Sequence, residues 1–272
     1  MLKDITIGQY LPGNSPVHKI DARVKIILSL IYIAALFIIK EPVSYAVFAA
    51  YTVTLIMISG IPLKYILKGL KPMLWIFILT AVLNLLMTPG EPLISVPLYK
   101  ISLRITKEGV STAVLLVLRL VFLIAGSSIL TLTTSPLQLT DAIEGLLNPL
   151  KKIKVPVHET AMMMTIAIRF IPTLSEEADK IMKAQKARGA DFETGNILQR
   201  AKAMIPVLVP LFVSAFRRAD ELAAAMEARC YNGGDRRTKM KESHIKAVDI
   251  KACLVFGVCM AILAAAELII EI

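Results

Sequence analysis

The chain has 272 residues, 56% of them hydrophobic, and its mean hydropathy is +0.67. This apolar fraction is too large for a soluble domain of that length, so the composition excludes an ordinary water-soluble fold. The net charge is +10, from 31 Lys and Arg against 21 Asp and Glu. In a membrane protein such an excess marks the cytoplasmic loops, so we expect a lipid bilayer and no nucleic acid as its surroundings.

Four apolar runs in the first half of the chain predict membrane-spanning helices within an N-terminal membrane region, residues 1–134. A basic cluster that includes Arg23 and Lys25 precedes the first run. The predicted spans are residues 24–39, 43–59, 72–88 and 109–132. Three lysines between 64 and 71 predict a short amphipathic helix before the third span. The partial alternation over 96–105 is typical of a short hairpin.

Arg119 lies near the middle of the fourth predicted span. A charge at that depth costs on the order of 3 kcal/mol on insertion scales, so its side chain should face protein or water. One interpretation is a residue that lines a transport path. The other is a structural residue that bonds carbonyls of neighbouring helices, which we favour because the predicted spans offer no obvious acidic partner.

The composition changes after Leu132, and residues 135–247 predict a cytoplasmic domain of long amphipathic helices. The predicted helices cover 136–147, 157–188 with an interruption at the proline at 172, 196–204 and 206–229. A last apolar run predicts a C-terminal membrane helix within 248–272. The loop charges place the amino end and the 135–247 domain in the cytoplasm, with about five transmembrane helices in an all-α integral membrane protein.

Two of the predicted helices end in similar stretches, in which a small residue follows an Ala-Arg pair. The stretches are Ala187-Arg188-Gly189 and Ala228-Arg229-Cys230. Each arginine ends a mostly apolar stripe, which is how a helix would present one cation to a groove on a partner. An arginine in a last turn is also favoured by the helix dipole. The recurrence of the same surroundings favours the binding interpretation.

Motifs typical of an enzyme do not occur in the sequence. It has no Walker loop and no Gly-x-Ser-x-Gly elbow. None of its three histidines pairs with a cysteine or a carboxylate at the spacing that metal ligands have. We therefore predict a non-catalytic protein with no catalytic residues, no cofactor and no metal site of its own.

Several motifs together resemble the T-component, the transmembrane scaffold of energy-coupling factor (ECF) transporters, over nearly the whole chain. They are Asp21-Ala22-Arg23-Val24-Lys25, Thr133-Thr134-Ser135-Pro136, Arg169-Phe170-Ile171-Pro172-Thr173-Leu174, Ala187-Arg188-Gly189-Ala190-Asp191, Arg217-Arg218-Ala219-Asp220-Glu221-Leu222 and Ala225-Met226-Glu227-Ala228-Arg229. The combination is specific, although each piece alone is weak.

The resemblance implies a subunit of an ECF-type ABC importer in a prokaryotic plasma membrane, which takes up vitamins or metal ions. Its coupling helices would dock on two ABC-type ATPase subunits, which bind the ATP, through Arg188, Arg229 and their neighbours Ala187, Gly189 and Ala228. Cys230 departs from the family pattern, which has a second glycine there. A membrane substrate-binding S-component would be a third partner. A self-contained transporter or channel is the main alternative, and a membrane-bound enzyme is a further one.

Overall fold

A computed structural model describes residues 10–39, 41–90, 92–98, 101–192, 194–233 and 244–271, and it is predominantly helical. The helices are α1 (Pro16–Lys19), α2 (Ala22–Ile38), α3 (Pro42–Ser59), α4 (Leu63–Leu70), α5 (Leu74–Met87), α6 (Lys107–Thr133), α7 (Pro136–Leu147), α8 (Val157–Ala187), α9 (Ile197–Ala228) and α10 (Ala247–Glu271). Short 3-10 turns cover Lys71–Met73 and Asn148–Ile153. The described chain forms two compact units, one of residues 10–142 and 244–271 and one of residues 143–233.

A β-hairpin joins α5 to α6. Its strands are β1 (Pro92–Leu98) and β2 (Ile101–Thr106), which pair antiparallel with Val96 opposite Leu103. Thr106 ends the hairpin and caps the next helix, because its hydroxyl accepts a hydrogen bond from the Gly109 amide and donates to the Thr88 carbonyl. The hairpin therefore sets the point at which α6 begins.

The core of the first unit lies where α2, α3, α6 and α10 meet. Leu36 and Phe48 are completely or almost completely buried there. Tyr32 packs against Gly126, where a side chain larger than hydrogen would collide with its ring. The Tyr32 hydroxyl donates to the Phe122 carbonyl and shares a hydrogen bond with Thr52, so the buried polar atom is satisfied.

The second unit contains two long helices, α8 and α9, and both run through their prolines. The predicted division of the helix at Pro172 was wrong, because α8 is continuous there, and so was the predicted break between 204 and 206 in α9. A kink at Pro172, the other form of the predicted interruption, stays a prediction. Each proline removes one hydrogen bond from the ladder without ending the helix. Pro210 frees the carbonyl of Pro206, and the side-chain amide of Gln185 on α8 donates to that carbonyl at 3.4 Å.

Five of the described helical segments are long and apolar enough to cross a membrane. They are Pro42–Ser59, Leu63–Met87, Lys107–Thr133, Ile197–Ala228 and Ala247–Glu267. Four of them overlap predicted spans. The fifth is α9, which the sequence analysis assigns to the cytoplasmic domain, whereas α2, the predicted first span, has only 17 residues. The placement of α2 in the bilayer and of α9 outside it stays a prediction.

Candidate functional site

The first candidate arginine lies at the C-terminal end of α8. Ala187 is the last helical residue, Arg188 is the cap, and Gly189 has a φ of +92°. The Gly189 amide donates to the Lys186 carbonyl and the Ala190 amide donates to the Gln185 carbonyl, both at 3.0 Å. This pair of bonds is a Schellman motif, which satisfies carbonyls that the last turn leaves without partners.

The second candidate arginine lies at an end of the same geometry, on α9. Arg229 is the cap after Ala228, and Cys230 takes the left-handed position with a φ of +55°. The Cys230 amide donates to the Glu227 carbonyl at 2.8 Å, and the Tyr231 amide donates to the Met226 carbonyl at 3.1 Å. Cys230 thus has the same left-handed backbone conformation as Gly189, although this conformation is unfavourable for a residue with a Cβ atom.

All six predicted coupling residues are exposed on these two helix ends: Ala187, Arg188, Gly189, Ala228, Arg229 and Cys230. Among the described residues, neither guanidinium has a hydrogen bond or an ion pair with another side chain or with a carbonyl. The Schellman bonds satisfy the last carbonyls through backbone amides instead. The arginine side chains are therefore not needed to cap their own helices and are free for contacts with another molecule.

The two arginines lie at opposite ends of one antiparallel helix pair. Gln185 of α8 contacts Pro206 of α9, and Glu177, eight residues earlier on α8, contacts Ser214, eight residues later on α9. Arg188 therefore lies near the start of α9, whereas Arg229 ends that helix. The 23 residues from Pro206 to Arg229 correspond to roughly 35 Å at 1.5 Å per residue, so one compact partner domain does not easily reach both.

Glu177 holds the two helices together, and the sequence analysis did not identify it. Its carboxylate accepts hydrogen bonds from the Ser214 hydroxyl and from the Arg218 guanidinium, the latter at 2.7 Å. Both groups are partly shielded from solvent, which makes this pair stronger than a fully exposed one. The spacing of Ser214 and Arg218, four residues apart on one helix face, is the signal that could have indicated a shared acidic partner.

Arg119 is bonded to protein groups in the first unit. Its Nε donates to the Tyr45 hydroxyl at 2.9 Å, and one terminal nitrogen donates to the Ile39 carbonyl at 2.8 Å. The guanidinium also lies over the rings of Phe37 and Tyr45, about 6 Å from each centroid. Ile39 caps the end of α2, so Arg119 lies in the middle of α6 but level with the end of a shorter neighbouring helix.

Lys25 ties together the ends of three helices. It is only 7% exposed, although the sequence analysis placed it in the basic cluster before the first span. Its ammonium donates to the Thr133 carbonyl at 3.0 Å and to the Thr134 hydroxyl at 3.3 Å, where α6 ends. Asp21, the cap of α2, donates its amide to the Asp249 carboxylate at the start of α10 at 2.7 Å.

The Lys25 cluster explains two of the sequence motifs quoted above, and it adds Asp249, which the sequence analysis missed. The other carboxylate oxygen of Asp249 accepts a hydrogen bond from the Lys246 amide at 2.6 Å, so this acid also caps α10. Within the residues that the structure describes, no group of three or more His, Cys, Asp or Glu side chains is placed to hold a metal ion. The cluster is thus a junction of helix ends.

The long apolar helices and the free helix ends define a helical multi-pass membrane protein with two outward-facing arginine caps. The model of the CbiQ family, described as cobalt transport protein, matches residues 13–240. The energy-coupling factor transporter transmembrane protein EcfT of Clostridium kluyveri is 57% identical over 266 residues, which cover 97% of each chain. The Bacillus subtilis protein of that name is 47% identical over 243 residues, 89% of this chain and 90% of its own. The chain therefore belongs to this family of ECF transporter transmembrane proteins, which confirms the resemblance.

Proposed function

We propose that the chain is the non-catalytic coupling subunit of an ECF-type importer, in which partner subunits bind and hydrolyse ATP. Arg188 would enter a groove on one ATPase subunit and Arg229 a groove on the other. The observation that carries this proposal is the recurrence of one backbone motif, with a free and exposed arginine, at both ends of the α8–α9 pair. A planar guanidinium with five donors suits carboxylates or carbonyls in such a groove.

The geometry of the pair also supports a mechanical role. The two caps are separated by roughly 35 Å of continuous helix, so a displacement of either ATPase subunit would move the whole pair. Glu177 resists sliding of α8 against α9, because it bonds Ser214 and Arg218 at once. ATP-driven closure of the two ATPase subunits would then be passed on as a change in the position of both helices.

A third partner would be a membrane substrate-binding subunit for vitamins or metal ions. The support is an apolar stripe on α9 at helical spacing, formed by Ile205, Val209, Phe212 and Phe216, each more than half exposed. The uncharged run of α9 covers only residues 203–216, which is shorter than a bilayer crossing. This length favours contact with a partner at the cytoplasmic membrane surface over a transmembrane placement.

Removal of both arginines tests the proposal. We expect Arg188→Ala and Arg229→Ala each to weaken ATPase association and the double variant to lose it, since truncation of a buried charged contact costs about 2–5 kcal/mol. The measurement is the amount of ATPase subunit that co-purifies with the tagged chain from cells that express the whole transporter. Arg217→Ala is the matched control, because Arg217 is an exposed arginine on α9 that pairs with Glu221. Full ATPase recovery and normal uptake by the double variant would overturn the proposal.

A further inference from the structure

The segment between α7 and α8, residues 147–155, forms a compact exposed turn. Its centre is the 3-10 helix Asn148–Ile153, and every residue from 147 to 156 is exposed. Three of its apolar side chains recur at every third position: Leu147, Leu150 and Ile153, which are 42%, 38% and 75% exposed. Because a 3-10 helix has three residues per turn, these side chains lie above one another and form a narrow apolar ridge.

The other edges of this 147–155 turn are basic. Lys151, Lys152 and Lys154 are exposed, and the sequence has no acidic residue from 145 to 158. The nearest acids on either side are Glu144 and Glu159, and Glu144 is already hydrogen-bonded to His158 at 3.0 Å. None of the three ammonium groups has a hydrogen bond or an ion pair among the described residues. The turn thus presents three unneutralised cations beside an uncovered apolar ridge.

Lys154 occupies a backbone position that a lysine does not favour. Its φ is +63°, and its amide closes the turn by donating to the carbonyls of Leu150 and Lys151. Glycine or asparagine adopts this left-handed conformation with less strain. A strained position that keeps a long cationic side chain points to a use for that side chain, here beside the two other lysines.

The size and position of the turn favour a membrane over a protein as its occupant. A stable protein interface generally buries at least 1,000 Å² in total, which one turn of nine residues does not provide on its own. An apolar ridge flanked by lysines does fit the headgroup layer, with the aliphatic groups among the acyl chains and the ammoniums at the phosphates. In the sequence, only residues 134–146 lie between the end of α6 and the turn.

We propose that the 147–155 turn inserts Leu147, Leu150 and Ile153 into the surface of the bilayer and binds the phosphates of anionic lipids through its three lysines. The turn anchors the start of α8 at the membrane surface. Each lysine near an anionic surface contributes about a fivefold change in partition toward it. The anchor is independent of the ATPase contacts proposed above, because it lies at the opposite end of α8 from Arg188.

A tryptophan at the tip of the ridge tests this anchor. The experiment uses the full chain with Ile153→Trp and Trp75→Phe, since Trp75 is the only tryptophan. In nanodiscs of phosphatidylglycerol and phosphatidylcholine with brominated acyl chains, we expect strong quenching of the Trp fluorescence. Quenching should fall at least twofold in nanodiscs of pure phosphatidylcholine. It should fall by the same factor in the phosphatidylglycerol mixture when Lys151→Gln, Lys152→Gln and Lys154→Asn are combined. The asparagine keeps the left-handed backbone at position 154.

The matched control removes three other exposed lysines of the same unit, through Lys180→Gln, Lys183→Gln and Lys186→Gln on α8. This control should leave the quenching unchanged, and so should the Arg188→Ala and Arg229→Ala pair. Equal quenching in both lipid compositions would contradict the binding of anionic lipids. A Trp signal that bromine never quenches, and that shifts to the blue only when partner subunits are added, would overturn the membrane anchor in favour of a protein interface.

Discussion

The unit of residues 10–142 and 244–271 bonds two cations between its helices, whereas the unit of residues 143–233 leaves cations at its helix ends exposed; both units expose large apolar side chains. In the first unit Lys25 and Arg119 bond carbonyls and hydroxyls of neighbouring helices. In the second, Phe212 and Phe216 are 61% and 69% exposed. The hydrocarbon core of a bilayer offers no partner for a charge, so a unit that spans it must satisfy its own polar groups. The second unit leaves both apolar stripes and cations exposed, which is typical of a surface that binds other molecules.

The largest effect on the first unit is expected from Lys25→Met. It leaves the carboxylates of the junction without their buried cation and removes the hydrogen bonds to Thr133 and Thr134. We expect a loss of about 3 kcal/mol in the free energy of unfolding, because breaking a buried charged cluster is costly. Thermal unfolding of the purified chain in detergent measures it, with Lys19→Met at an exposed lysine as the control. Equal stability of the two variants would show that the junction does not hold the helix ends.

Arg119→Leu should destabilise the first unit by about 2 kcal/mol, since it removes two hydrogen bonds from a charged donor. Arg119→Lys should lose less, because an ammonium keeps the charge and reaches one of the two acceptors. Tyr45→Phe removes only the hydroxyl acceptor and should give an intermediate value. The measurement is the same unfolding transition, and identical values for the leucine and lysine variants would contradict a structural role for Arg119.

The smallest effect concerns the two helix ends of the second unit. Cys230→Gly should stabilise the end of α9 by about 1 kcal/mol, because glycine adopts a φ of +55° without steric cost. Gly189→Ala should weaken the end of α8 by a similar amount, since an added Cβ there meets nothing within 4 Å and only the backbone strain counts. Hydrogen exchange at the amides of Tyr231 and Ala190 reports the two changes. Changes of the same sign would contradict the equivalence of the ends.

Local patterns predicted much of the fold. The apolar runs indicated α3, α5, α6 and α10 to within a few residues, and Ser135-Pro136 marked the start of α7. The arginines could be assigned to helix ends because the apolar stripes stop there. A glycine such as Gly189 is typical of a left-handed cap, but the same cap at Cys230 has no such local signal, since cysteine does not favour this conformation.

Tertiary contacts account for what the sequence did not indicate. The amide of Asp21 bonds Asp249, which is 228 positions later, so no local rule links the two motifs. The helix α9 continues through Pro206 and Pro210, and the side chain of Gln185 on α8 bonds the carbonyl that Pro210 frees. Propensity rules predict a break there because they treat each helix as if it were isolated.

Cross-linking from the two helix ends tests the central claim most directly. Cys230 is a natural exposed handle beside Arg229, and Cys253→Ala with Cys259→Ala removes the other cysteines. Adding Gly189→Cys and Cys230→Gly moves the handle to the end of α8. A photoactivatable maleimide at either position of the assembled transporter should link to an ATPase subunit. The same reagent on a cysteine introduced by Arg217→Cys, between the two ends, should not link to an ATPase subunit. Cross-links to the ATPase from Arg217→Cys alone, or equally from all three positions, would contradict the account.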